Sequence, residues 1–118
     1  MATIKVKRVY EVPEKADGLR LLVDRLWPRG LKKETAHIDE WLKDIAPSTE
    51  LRKWFDHDPA KWNEFNLKYS LELKHNPKID NLLQLLKKNE KATLLYAARD
   101  EQHNQAMVLL GFINEILT

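Results

Sequence analysis

Thr3 to Tyr10 alternates between side chains of two kinds, with Ile4, Val6, Arg8 and Tyr10 on one face, and this two-residue period predicts a strand. Val12 to Gly18 is polar and closes on Asp17-Gly18, a turn signal. Arg20 to Leu26 reads as a second strand, and Leu21-Leu22-Val23 makes it apolar on both faces, as in a covered central strand. The connection of about eight residues is shorter than the dozen or so a parallel crossover usually takes, so local physics favours a hairpin and leaves the first strand's direction open.

The period then lengthens. Ile38, Trp41, Leu42 and Ile45 fall at i, i+3, i+4 and i+7 and predict an amphipathic helix that stops at Ala46-Pro47. Ser48 is placed to cap a short helix carrying Leu51, Trp54 and Phe55. Asp58-Pro59 starts another, with Trp62, Phe65 and Tyr69, ending near His75-Asn76-Pro77. Ile79, Leu82, Leu83 and Leu86 mark a fourth. The tryptophans at 41, 54 and 62 all sit on these apolar stripes and read as core.

Thr93 to Ala98 is a third strand, again apolar without alternation, and Asp100 reads as the cap of a last helix carrying Ala106, Leu109, Leu110, Ile113 and Leu117. The pattern predicts an α/β fold: a single small domain over residues 1–118, with a short, mostly parallel three-stranded sheet covered on both faces by about five helices. Ligands of such sheets sit beyond the carboxyl ends of the strands. Two polar clusters, Asp24–Arg29 and Arg99–Asn104, lie there.

Composition narrows the class. The 118 residues contain no cysteine, which excludes disulfides and thiolate chemistry and fits a reducing compartment. No run approaches the roughly 20 apolar residues of a membrane span, and the first residues lack a signal peptide's apolar stretch, so a cytoplasmic location and no membrane partner are expected. Net charge is only +2, but residues 1–33 carry nine basic against four acidic side chains. That asymmetry is either a positive potential for an anion or an ordinary solvated surface.

The candidate chemistry follows from these clusters. Arg25, Arg29 and Arg99 offer planar donor forks for phosphate or carboxylate; alternatively, Arg25 pairs with Asp24 and ties the loop down. Asp24 and Asp100 are candidate general bases, against a salt bridge and a helix cap respectively. His103 is a candidate proton carrier or a surface histidine, and Asn104 would fix geometry beside it. Trp27 either stacks on a base or sugar or belongs to the core. Arg8 and Tyr10 reach this end only if the first strand runs parallel to the others. His57, in Asp56-His57-Asp58, reads as a turn residue; with no second ligand cluster, neither a metal nor a cofactor is expected.

The segments Arg8-Val9-Tyr10, Asp17 through Gly30, Ala46-Pro47-Ser48, Leu51-Arg52-Lys53-Trp54-Phe55, His57-Asp58-Pro59 and Thr93 through Asp100 followed by Asn104 resemble the bacterial YeaO-like family, in the group of domain of unknown function 488. The resemblance runs end to end and implies a small cytoplasmic α/β protein. Longer relatives in the group carry Cys-His-Arg where this chain has His103-Asn104-Gln105, so thiol chemistry would be out of reach here. The expected role is binding of an anionic, phosphate-bearing ligand, a nucleotide or nucleic acid. The alternatives are an enzyme acting on a small phosphorylated or carboxylated metabolite and an interaction module anchored by Trp27.

Overall fold

The computed structural model describes residues 3–117. Its four strands are β1 (Thr3–Arg8), β2 (Leu19–Leu22), β3 (Glu40–Trp41) and β4 (Lys91–Tyr96), and its five α-helices are α1 (Lys33–Ala36), α2 (Thr49–Phe55), α3 (Trp62–Lys74), α4 (Ile79–Lys88) and α5 (Gln105–Leu117). The strands form one sheet in the order β1-β4-β2-β3, and every neighbouring pair is parallel. The fold is therefore α/β, as the apolar pattern predicts, with a fourth strand added at the edge.

The hairpin expected between β1 and β2 does not form. β4 lies between them, pairing Val6 with Leu94 on one side and Leu94 with Leu21 on the other. The linker has only to return along a strand and pass one strand's width, about 30 Å of travel, which ten residues at about 3.3 Å each can cover. It makes a short 3-10 turn at Lys15–Asp17 and then passes Gly18, whose φ of +63° favours glycine. A Cβ on Gly18 would lie 2.3 Å from the Lys91 carbonyl oxygen, so the close approach to β4 also requires glycine there.

The helix expected over Ile38–Ile45 is replaced by His37 in the left-handed region, the two-residue strand β3 and a 3-10 turn at Lys43–Ile45. The four apolar residues have different destinations. Ile38 packs with Val9, Leu22 and Leu95 on one face of the sheet, while Leu42 and Ile45 join the main core on the other. A single helix cannot serve both faces. Trp41 accordingly sits on the edge strand, 36% exposed, rather than in the core.

The two faces are covered differently, contrary to the expectation of helices on both. Residues of α2, α3, α4 and α5 pack onto one, burying Leu21, Val23, Leu94 and Tyr96. The other is covered by the linker, by the Trp27–Ile38 segment with its one-turn α1, and by a polar layer. In that layer Asp17 is fully buried and paired with Lys5 at 2.9 Å, Lys7 at 3.1 Å and Arg20. Thr93 Oγ1 donates to the Asp17 carbonyl at 2.7 Å, and Arg20 also donates to the carbonyls of Ala36 and His37 at the end of α1. Burial alone would raise the Asp17 pKa; hydrogen bonds from Lys5, the Glu14 backbone N–H, Lys7 and Arg20 overcome it and hold the carboxyl well below the usual range.

Candidate functional site

All strands point their carboxyl ends the same way, and a cleft of about 660 Å³ opens there, within the size range of small-molecule sites. The backbone pairing of β2 with β4 continues to Val23, whose N–H donates to the Leu95 carbonyl at 3.0 Å. One residue later the Asp24 side chain takes over, its Oδ2 accepting the Ala97 N–H at 3.0 Å and its Oδ1 accepting from Gln105 Nε2. β2 thus stops at Leu22, short of the expected Leu26, because a carboxylate substitutes for the next rung.

From there the chain turns outward as the expected polar loop. The Arg25 guanidinium donates to the Pro47 carbonyl at 2.8 Å through Nε and to the Ala46 carbonyl at 3.1 Å. It ties down the loop, on backbone oxygens rather than on Asp24. Those carbonyls are presented by the turn before α2, which the Tyr69 hydroxyl also holds by donating to the Ile45 carbonyl at 2.7 Å. Trp27 is half-buried; its indole N–H donates to the Leu31 carbonyl at 2.8 Å and its ring meets Trp41 edge-on at 5.4 Å. Arg29 is exposed and does not line the cleft, and its carbonyl accepts from the Tyr10 hydroxyl at 2.8 Å.

β1 runs parallel, so Arg8 does reach this end. Its guanidinium donates to the carbonyls of Ala98 and Ala97 at 2.9 and 3.0 Å and lies 5.2 Å from the Tyr10 ring centroid. Arg8 therefore shapes the segment after β4. Beyond it Asp100 Oδ1 accepts the N–H groups of Gln102 and His103 at 2.9 and 3.0 Å, and the His103 ring bonds Asp100 Oδ2 at 2.8 Å. These bonds hold the Asp100 pKa below its ordinary value. The expected cap of α5 is displaced by four residues: Asn104, buried, accepts the Met107 N–H at 3.1 Å and donates to the Asp100 carbonyl at 3.0 Å. His103 lies in the turn before the helix, its ring edge-on to Trp62 at 5.2 Å.

The cleft brings together Asp24, Arg25, Trp27, Arg99, Asp100 and Asn104. It leaves out Arg8, Tyr10, Arg29 and His103. It adds residues the sequence does not single out as ligands: Arg52 and Phe55 from α2, His57 from the turn after it, and Gln105 from α5. Asp56 and His57 are consecutive non-glycine residues with φ of 47° and 55°. Left-handed backbone costs each of them roughly 1 kcal/mol, and strain of this kind tends to sit at functional turns. Ser48 capping Leu51 N–H at 3.2 Å sets α2 and so Arg52. The sequence signals for these residues are the cap and the segments Leu51–Phe55 and His57–Pro59 that resemble the family; helical spacing alone does not show which side of α2 meets a cleft.

The cleft's electrostatics are split. Arg52 and Arg99 are exposed, and among the described residues neither guanidinium has a hydrogen bond or ion pair within the chain. Asp24 is partly buried, and burial pushes its pKa up to about 6 against the opposing bonds from Ala97 and Gln105. Trp27, Pro28, Pro47, Phe55 and Phe65 supply apolar wall to the same cleft. Among the described residues no group of three His, Asp or Glu side chains is arranged to hold a metal ion, and no helix is long and apolar enough to cross a membrane.

The chain is similar in sequence to known proteins over nearly its whole length. The chain is 42% identical over 113 residues to the uncharacterized protein YeaO of Escherichia coli (strain K12), covering 96% of this chain and 98% of that one. It is 38% identical over 111 residues to the uncharacterized protein Rv3073c of Mycobacterium tuberculosis (strain ATCC 25618 / H37Rv), covering 94% and 93% respectively. No solved structure matches it. A family model described as the inactive DUF488-N3 subclade matches residues 3–118, and the chain belongs to that family, alongside YeaO.

Proposed function

We propose that the cleft at the strand ends binds an anionic, phosphate-bearing ligand, with Arg52 and Arg99 as its charge contacts. The observation carrying this reading is the contrast among the arginines at this end of the sheet. Arg8 and Arg25 donate to backbone carbonyls, whereas Arg52 and Arg99 line the cleft with no acceptor among the described residues. A guanidinium fork offered beside an apolar wall matches a phosphate oxygen pair. His57, in its left-handed turn, adds an imidazole to the cleft lining.

Binding is favoured over turnover. The chain has no cysteine, and Asp100 is held by two amides and the His103 ring, where it serves the loop. The description of the matching family as inactive points the same way. The Trp27 interaction reading is weakened because the indole N–H and ring edge are already engaged within the chain.

The test is a thermal-shift series with inorganic phosphate, pyrophosphate and phosphorylated metabolites on the unaltered chain and on Arg52→Ala/Arg99→Ala. Ligand at a hundred times its dissociation constant adds about 2.7 kcal/mol of stability. The double variant should keep its unliganded melting temperature and lose the shift. Absence of any shift in the unaltered chain across the series sinks the reading.

A further inference from the structure

Asp24 is a partly buried carboxylate to which the fold assigns no cation. Among the described residues it makes no ion pair, although Arg25 is its neighbour in sequence; that guanidinium is committed to Ala46 and Pro47. Taking a carboxylate out of water without a counter-charge is costly, and such a group is retained where something else meets it. Its two internal donors, Ala97 N–H and Gln105 Nε2, occupy one site on each oxygen. A carboxylate has about four acceptor sites, so each oxygen keeps one for a ligand. At the same end of the cleft the carbonyls of Ala97 and Ala98 are taken by Arg8 and those of Ala46 and Pro47 by Arg25.

The cleft therefore carries both kinds of group. Its partly buried Asp24 offers carboxylate acceptors, its exposed Arg52 and Arg99 offer guanidinium donors, and Trp27 and Phe55 are among its apolar walls. A complementary occupant has adjacent N–H donors on a planar ring at one end and an anion at the other. We infer that the cleft takes a guanine nucleotide, its ring N–H and amino group donating side by side to Asp24 and its phosphate meeting Arg52 and Arg99. This rests on the anion-binding reading above and adds the class of ligand. Among the common bases guanine alone presents two neighbouring donors; adenine and cytosine place a ring acceptor beside their amino group, which a carboxylate repels, and uracil flanks its single N–H with two carbonyls. Because the Asp24 carboxyl is ionised above about pH 6, this pairing strengthens toward neutral pH.

Isothermal titration of the full chain at pH 7.5 with guanosine 5′-monophosphate, adenosine 5′-monophosphate, ribose 5-phosphate and inorganic phosphate tests this. A good paired contact is worth about tenfold or more in discrimination, so the guanine nucleotide should bind at least about tenfold tighter than the adenine nucleotide or ribose 5-phosphate. Asp24→Asn should remove that preference and leave ribose 5-phosphate affinity unchanged. Should that variant not fold, Gln105→Ala gives a second arm, weakening the guanine nucleotide alone. Equal binding of the two nucleotides, or of ribose 5-phosphate, overturns the guanine assignment and leaves the anion site standing. No binding by any of the four overturns both. A 5′-phosphorylated oligonucleotide beginning with guanosine that binds more tightly than the mononucleotide overturns the free nucleotide as occupant in favour of a strand end.

Discussion

Asp17 and Asp24 lie seven residues apart, and their opposite surroundings make them respond oppositely to pH. Asp17 is fully buried among three cations, which hold its pKa well below the usual range. A carboxyl depressed in the folded state contributes stability that is present above its unfolded pKa, near 3.9, and is lost as pH falls through the folded value. Asp17→Asn leaves the buried Arg20 without its carboxylate and Lys7 with Glu14 alone, so it should cost about 3–5 kcal/mol in urea unfolding at pH 7. Its stability should also fall less steeply than the unaltered chain's on acidification below pH 4. For Asp24 the sign is reversed. Its folded pKa of about 6 exceeds the unfolded one, so the folded state holds more protons between pH 4 and 6 and stability falls as pH rises across that window. Asp24→Asn should flatten that part of the profile, by on the order of 3 kcal/mol. The sequence places both aspartates but does not separate them, because the difference lies in partners brought from β1, β2 and α5. The same holds for the cationic N-terminal third. Lys5, Lys7 and Arg20 surround Asp17, and Arg8 and Arg25 hold carbonyls, so five of its nine cationic side chains are committed within the fold.

Elements were legible where one periodicity served one face. The helices with Leu51 and Phe55, with Phe65 and Tyr69, and with Ile79, Leu82 and Leu86 all fall where their spacing puts them. The failure at Ile38–Ile45 arose because a helix-like spacing was shared between the two sides of the sheet, which only tertiary structure decides. The capping of α5 shows a finer limit. Asp100 and Asn104 are both capping residue types, and the sequence cannot show that Asp100 closes the preceding turn while Asn104 caps the helix. Asn104→Ala should therefore cost about 1–2 kcal/mol, whereas loss of an exposed cap lies at the low end of that range. Circular dichroism with chemical denaturation checks this. Gly18→Ala is the sharper probe of the β1–β2 passage. It adds a Cβ 2.3 Å from the Lys91 carbonyl oxygen at a φ of +63°, so it should destabilise by more than about 2 kcal/mol.

At the scale of the whole molecule, the parallel sheet separates stability from the candidate site. The Asp17 cluster lies on the thinly covered face, beside the segment entering β2, while the cleft lies beyond the strands' carboxyl ends between the loops that follow β2 and β4 and the turn after α2. Sites that share no partners contribute additively to within a few tenths of a kcal/mol. Asp17→Asn should thus lower the melting temperature by about 10 °C or more while leaving the ligand-induced increment in unfolding free energy intact in the fraction that stays folded. Arg52→Ala/Arg99→Ala should do the converse, with an unchanged unliganded melting temperature and no increment, because neither guanidinium has a partner among the described residues to lose. Combining the three substitutions should give the lowered melting temperature of the first and the flat ligand response of the second. Paired denaturation curves with and without pyrophosphate check this. An increment that disappeared with Asp17→Asn alone would mean that the cleft depends on the opposite face of the sheet, and the division of labour read from the topology would be wrong.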